Sequence, residues 1–440
     1  MVSNKKKNLM MHKVTQSERN ITPFGGLNFL YDAFEKAGIS QFIDSELGTR
    51  NYRATYSYSD IVLSLFGNCM CNGEFISDLE LLKEKYASQL FDAIPTADTV
   101  EYVCQELKVE NEIIKTDQNI EHQINKNKKL NKALVNLCVY NQQLTSQEKN
   151  YVLDYDNVVV PTEKQDAKKS YKKTYGYHPG IAFVNDLPVH IENRNGNTPA
   201  RYGQKDLLSE CFDNLKSRDI TIAKYRGDSA SYQKNVVDFL EEKNCIFYIR
   251  NVNSGSFATH CSQSQSWEEV EINYQKKEVT SIEYKPFGGQ NAYRVVVTRT
   301  LRADKQLDIF SGQPYTYYGI ITTDITSTNK EVILFYNQRG NDSENNNKNL
   351  LNDFNLNRLP FMDMDTNTAY MGLMALCNVL FGYAKKILVH NDVEGISIKD
   401  RVKKVCFRYI SVCTSIVKNA RKSIIKVFSV KKYKTLELVI

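Results

Sequence analysis

No two of the ten cysteines are spaced as a Cys-x-x-Cys pair, which argues against a zinc ribbon or a dithiol redox motif. Most lie in apolar runs, where a free thiol behaves as a small core residue, and a reducing, cytoplasmic setting is expected. Cys69 and Cys71, two apart, would leave a helix on different sides. Tryptophan is almost absent, with Trp267 alone against 27 tyrosines. No uninterrupted run of membrane-spanning length occurs: residues 369–389 are broken by Asn378, Lys385 and Lys386, and read as a core helix, so no membrane is expected. The start, Met1-Val-Ser-Asn-Lys-Lys-Lys, is basic with no apolar stretch behind it, unlike a secretion signal. There is no internal repeat. Charge is not extreme either: the net value of +6 is compatible with nucleic acid without demanding it.

What is present is an ordinary globular composition, 42% hydrophobic and 25% charged over 440 residues. That length suits about two to four domains. Residues 1–108 have helical spacing: Leu27, Leu30, Ala33, Phe34 and Ala37 share a face, and Gly38 is a plausible stop. Further helices are predicted over 58–71, 76–86 and from Pro95, the last with Asp98 as cap and Glu101 reaching back. An all-helical domain of this kind is a scaffold or a DNA-end-binding unit. Residues 109–150 are polar, with 110–132 suited to a solvated helix or linker.

From Tyr151 the pattern changes. Strands are predicted over 151–160, 180–184, 189–193, 220–225 and 246–250, with helices over 205–215 and 231–242. This order is that of a ribonuclease H-like core, a mixed sheet flanked by helices. Residues 254–330 alternate β-branched or aromatic with polar side chains and read as a β-rich insertion. The core resumes over 331–395, with a strand over 331–336, a helix containing Glu344, and an apolar helix over 367–387. Residues 396–440 form a basic tail, expected to be helical. The fold class is therefore mixed α/β, a ribonuclease H-like core with a β-rich insertion, a helical front and a basic tail.

Three acids stand in three settings. Asp156 lies in the apolar run Val152-Leu-Asp-Tyr-Asp-Asn-Val158, Asp228 closes Ala223-Lys-Tyr-Arg-Gly-Asp228, and Glu344 follows Tyr336-Asn-Gln-Arg339. Strand, strand end and helix can converge three carboxylates, and hard oxygen ligands of this kind hold magnesium. Asp154 shares its strand face with Asp156, so either can be the first ligand. Glu344 is placed near a helix start, capped by Asn341, Asp342 or Ser343, where the helix dipole favours its charge. Arg339 and Tyr336 are suited to hold a phosphate.

The segments Leu153-Asp-Tyr-Asp-Asn157, Tyr225-Arg-Gly-Asp-Ser-Ala-Ser-Tyr232 and Phe335-Tyr-Asn-Gln-Arg-Gly-Asn-Asp-Ser-Glu344 carry a family resemblance, supported by Lys172-Lys-Thr-Tyr-Gly-Tyr-His-Pro-Gly180 and Asn352-Asp-Phe-Asn-Leu356. Together they resemble bacterial insertion-sequence transposases of the DDE type, in the branch with a β-rich insertion and a Tyr-x-x-Arg…Glu signature. The resemblance spans residues 151–386. Here Glu344 stands further from Arg339 than in most of that branch, and Lys348 is the only nearby lysine.

The resemblance implies Asp156, Asp228 and Glu344 as catalytic residues and ligands of two Mg2+ ions, with Mn2+ able to substitute. It implies cleavage at transposon ends followed by strand transfer. The partners would be double-stranded DNA, as terminal inverted repeats and target, and a second copy of the chain in the DNA complex. DNA contacts are expected from Tyr336, Arg339, Lys348, from Lys168, Lys169, Lys172 and Lys173 beside Tyr171 and Tyr175, and from Trp267 stacking on a base. His178 is expected in a structural or phosphate-contacting role rather than as a base. A nuclease without strand transfer and an idle, transposase-derived DNA-binding protein are the rival readings.

Overall fold

A computed structural model of the chain describes residues 20–439 apart from 87–88, 92, 117–118, 290, 304–305 and 420–421; for 341–345, 418, 419 and 422 it describes the backbone alone. The basic start and Arg421 lie outside the described residues.

The front is helical: α1 (Gly26–Lys36), α2 (Ile39–Leu47), α3 (Tyr58–Met70), α4 (Asp78–Tyr86) and α5 (Ala97–Leu107). Gly38 separates the first two at φ +69°, a left-handed turn that glycine takes without strain. The capping box expected at Asp98 is absent. Thr96 precedes α5 with its hydroxyl on that of Thr99 and no side-chain bond to the helix backbone, whereas Ser57 and Asp60 cap α3 reciprocally.

The polar connector is not a solvated helix throughout. It contains a hairpin, β1 (Glu112–Lys115) and β2 (Glu121–Asn125), and then α6 (Lys128–Tyr140). Polar composition hid both: β2 finds its partner on the main sheet, and α6 buries Leu130, Leu134 and Leu137.

The core follows as β3 (Tyr151–Asn157), three short strands β4 (Val160–Pro161), β5 (Lys168–Lys169) and β6 (Tyr175–Tyr177), then β7 (Gly180–Val184), β8 (Leu187–Arg194), α7 (Gln204–Lys216), β9 (Ile222–Gly227), α8 (Lys234–Glu242) and β10 (Ile246–Arg250). The central strands lie in the order β8-β7-β3-β9-β10; β3 pairs in parallel with β9 and β9 with β10, the remaining pairs being antiparallel. With β3 as first strand this is the third-second-first-fourth-fifth order of a ribonuclease H-like sheet.

The expected insertion opens with a helix, α9 (Gly255–Ser262), and continues as β11 (Glu268–Ile272), β12 (Gln275–Tyr284), β13 (Tyr293–Leu301) and β14 (Tyr315–Thr322). It prolongs the same sheet, since β14 pairs with β10 and the whole reads β1-β2-β8-β7-β3-β9-β10-β14-β13-β12-β11.

Residues 331–336 are not a strand but the first turns of α10 (Asn329–Asn352). Thr328 and Glu331 form a capping box that starts this helix. Val332, Ile333, Phe335 and Tyr336, which alternate too poorly for a half-buried strand, make one helical face against Tyr248, Val296 and Ile320 of the sheet. The opposite sheet face, with Tyr155, Tyr225 and Phe247, is buried in the main core.

α11 (Met364–His390) is, by length and composition, long and apolar enough to cross a membrane, but it packs on α3, α5, α6 and β8 as a core helix. Among its described residues the tail is helical only over α12 (Val402–Val405) and a following π turn, Cys406–Ile410. It then forms a hairpin, β15 (Cys413–Asn419) and β16 (Lys422–Phe428), whose β-branched pairs such as Ile416 and Ile425 favour strand over helix.

Candidate active site

Alternation along β3 buries Leu153 and Tyr155 on one face and turns Asp154 and Asp156 to the other, toward α10. The parallel register sets Asp154 beside Arg226, so Asp156 and Asp228 fall level with each other at the carboxyl ends of neighbouring strands. Asp228 directly follows β9 and caps a 3-10 turn, Ser229–Ser231, accepting from the Ala230 N–H at 2.9 Å. Gly227 makes the turn possible, because a Cβ there would lie 2.4 Å from Ser231 Oγ. Ser231 is held from below by Gln204 at 2.7 Å and Tyr225 at 2.9 Å.

The two acids of β3 have different surroundings. Asp154 is buried and accepts two bonds from the Arg226 guanidinium, at 2.7 and 2.6 Å. Arg226 also donates to the Phe335 carbonyl at 2.9 Å, so this pair rivets α10 to the sheet. Asp156 instead has Arg339 Nη2 at 3.2 Å and accepts from Asn347 Nδ2 at 3.3 Å. Burial raises the Asp156 pKa above the usual carboxylate range, Arg339 opposes this, and the charge of Asp228 pushes it further up.

Arg339 donates to the Tyr155 carbonyl at 2.9 Å. Burial works against its charge, but Asp156, Tyr336 and Asp228 overcome that and raise its pKa. Tyr336 donates to the Gly227 carbonyl at 3.2 Å, and burial raises its phenol pKa. Asn347 was not legible as a site residue. Its Oδ1 is buried and has no partner among the described residues. The available signal was its spacing of eleven residues from Tyr336, about three helical turns, once 329–352 is read as one helix.

Glu344 lies within α10, well past its capped start, so the proposed caps at Asn341, Asp342 or Ser343 and the dipole argument fall away. The side chains of these four residues lie outside the described residues. Lys348 is exposed on the same helix. Lys168, Lys169, Lys172 and Lys173 are exposed on β5 and the turn after it, with Tyr171 and Tyr175 exposed among them. His178 is buried, its Nδ1 2.9 Å from the Thr198 carbonyl, and burial lowers its pKa. Trp267 stands apart, beside β11 on the outer strands. Its indole N–H donates to the Ser264 carbonyl at 2.9 Å, and Arg299 covers the ring at 4.3 Å.

Among the described side chains, no three His, Cys, Asp or Glu groups form a metal-holding cluster. The described part of the site is a carboxylate pair, Asp156 and Asp228, with the unpartnered Asn347 Oδ1 beside it. An all-oxygen set with mutually repelling carboxylates fits a hard divalent cation such as Mg2+.

In sequence, the chain matches the family described as transposase DDE domain, group 1, over residues 7–437. The chain belongs to this DDE transposase family. No curated protein matches it. Among solved structures it is similar to the cryo-EM structure of a piggyBac transposase synaptic complex with hairpin DNA, at 12% identity and TM-score 0.40, over 90% of this chain and 81% of that one.

Proposed function

We propose that this DDE transposase serves an insertion sequence, cutting DNA at the element's terminal inverted repeats and joining the freed 3′ ends to target DNA. The observation that carries the reading is the pair Asp156 and Asp228, level at the carboxyl ends of two parallel strands under α10. Asp156, rather than the Arg226-bound Asp154, is the first acid in this proposal, and Glu344, three residues before the Asp156-contacting Asn347, is the third. Two Mg2+ ions held by these acids would supply charge neutralisation to the attacking and leaving oxygens, and Mn2+ would replace them.

The chain's own groups do the rest. Arg339 presents its guanidinium beside Asp156, where it can take a non-bridging phosphate oxygen. Tyr336, tethered to Gly227, closes the side of the site near Asp228 and keeps the phosphate from sliding. Lys168, Lys169, Lys172 and Lys173 give the flanking DNA a cationic rail, with Lys348 as a further contact. Trp267, already covered by Arg299, would reach a base only by shedding that cover. A homodimer would pair two element ends, in the cytoplasm on the nucleoid.

The test is incubation of the purified chain with labelled element-end DNA and Mg2+ or Mn2+. Nicking and joining, both lost in Asp228→Asn with DNA binding retained, is the expected result. Nicking without joining would make it a nuclease, and an unimpaired Asp228→Asn would remove that residue from the site.

A further inference from the structure

The three parallel strands of the core end side by side. β3 carries Asp156 near its carboxyl end, β9 is followed by Asp228, and β10 ends on Arg250. The pairings of Asp154 with Arg226 and Arg226 with Tyr248 put Arg250 on the same sheet face as Asp156, one strand beyond Asp228. In open α/β sheets, ligands gather at the carboxyl ends of such strands.

Arg250 is exposed, and among the described residues it has no carboxylate partner. It is nevertheless not loose: its guanidinium lies 5.0 Å from the ring centre of Tyr318, on the antiparallel neighbour β14. Tyr318 is itself 42% exposed, so the pair stands at the surface. The charges of Arg250, Arg339, Asp228 and Asp156 all bear on the Tyr336 hydroxyl, which places Arg250 within the electrostatic reach of the site. A guanidinium held by an aromatic ring keeps its N–H edge free, an arrangement suited to a phosphate oxygen.

We propose that Arg250, oriented by Tyr318, is a phosphate-binding residue for the DNA strand that passes Asp228 on the side away from the Lys168–Lys173 loop. Resting on the reading given under Proposed function, this makes the strand contact two-sided. The lysine loop holds the duplex on the β3 side, and Arg250 holds one strand's backbone on the β10 side. Arg250 binds; Tyr318 is a positioning residue that acts through it. The alternative is a surface cation–π pair that only adds stability.

The experiment uses the full chain and a fluorescein-labelled duplex of generic sequence with a single-stranded 3′ overhang. Affinity is followed by anisotropy over a range of salt concentrations, without metal. Arg250→Ala should weaken binding and reduce the magnitude of the logarithmic salt slope by about one. Arg250→Lys should keep the slope. Tyr318→Ala should weaken binding less than Arg250→Ala, and Tyr318→Phe should restore it, since the ring and not the hydroxyl holds the guanidinium. Thermal midpoints of all four variants should match the parent. An Arg250→Ala protein with the parental slope and overhang affinity would overturn the inference and leave the transposase reading standing. Failure of the parent chain to bind either this probe or element-end DNA would remove both.

Discussion

At the residue scale, two aspartates two positions apart do different work, and substitution separates them. Asp154→Asn removes the charge of the carboxylate that accepts two bonds from the buried Arg226 guanidinium, with an expected loss of about 3–5 kcal/mol in urea unfolding. Asp156→Asn should behave in the opposite way. The folded-state pKa of Asp156 is raised, so its ionisation weighs against folding as pH rises through the carboxylate range toward neutral. The asparagine should therefore hold or raise the thermal midpoint at neutral pH, and the gain should vanish on acidification below the usual carboxylate range. A loss at neutral pH would mark Asp156 as structural. Asn347 supplies a second test. With its Nδ2 on Asp156 and its Oδ1 unpartnered, Asn347→Leu should weaken Mn2+ binding to the DNA-free chain by about 10-fold, the scale of a lost outer partner of a metal ligand. Free Mn2+ measured by electron paramagnetic resonance reads this directly. Parental affinity in Asn347→Leu would show that the amide plays no such part.

At the element scale, α10 decides the site, since Tyr336, Arg339 and Asn347 all lie on it. Its beginning rests on the Thr328–Glu331 box, in which Glu331 accepts from the Thr328 N–H at 2.8 Å. Thr328→Ala should cost about 1 kcal/mol and lower hydrogen-exchange protection first in the opening turns of α10. Equal loss of protection in β3 and β9 would show that the box holds more than the helix. This element was also the hardest to read. Val332, Ile333, Phe335 and Tyr336 form a short apolar run of β-branched and aromatic residues that looks like a strand by composition, and their poor alternation and the cap just before them are what mark a helix. The core strands were legible because each alternates or is wholly apolar between turn residues, and β10 was bounded correctly. β2 and α6 were not, because their partners are remote: β2 pairs only briefly with β8, and α6 buries its face against α11; β1 pairs locally with β2 but is almost wholly exposed, so no apolar alternation marks it. Asp156 and Asp228 were visible as acids at strand ends, whereas the roles of Arg226 and Arg250 depend on strand register, which no local pattern records.

At the scale of the whole molecule, the helical front, sheet and tail share one apolar core running from Leu27 to Leu436. The tail closes on the front at Gly25 and Gly26. Thr22 and Thr414 exchange backbone hydrogen bonds at 2.9 and 3.0 Å. A Cβ on Gly26 would lie 2.2 Å from the Tyr409 carbonyl oxygen and 2.6 Å from the Ile410 Cα. Both are backbone atoms, so no side chain can turn away, and Gly26→Ala must push the π turn off α1. The expected cost is about 1–3 kcal/mol, as for other overpacked contacts. Its distribution tests how the parts are joined. Trp267, the single tryptophan, sits on the outer strands far along the chain from Gly26 and reports on that end of the sheet. If the shared core couples the molecule, the Gly26→Ala denaturation curve followed by Trp267 fluorescence should shift as far as the one followed by far-ultraviolet circular dichroism. A shift in circular dichroism with Trp267 fluorescence unmoved would mean that front and tail unfold separately from the sheet that carries Asp156 and Asp228.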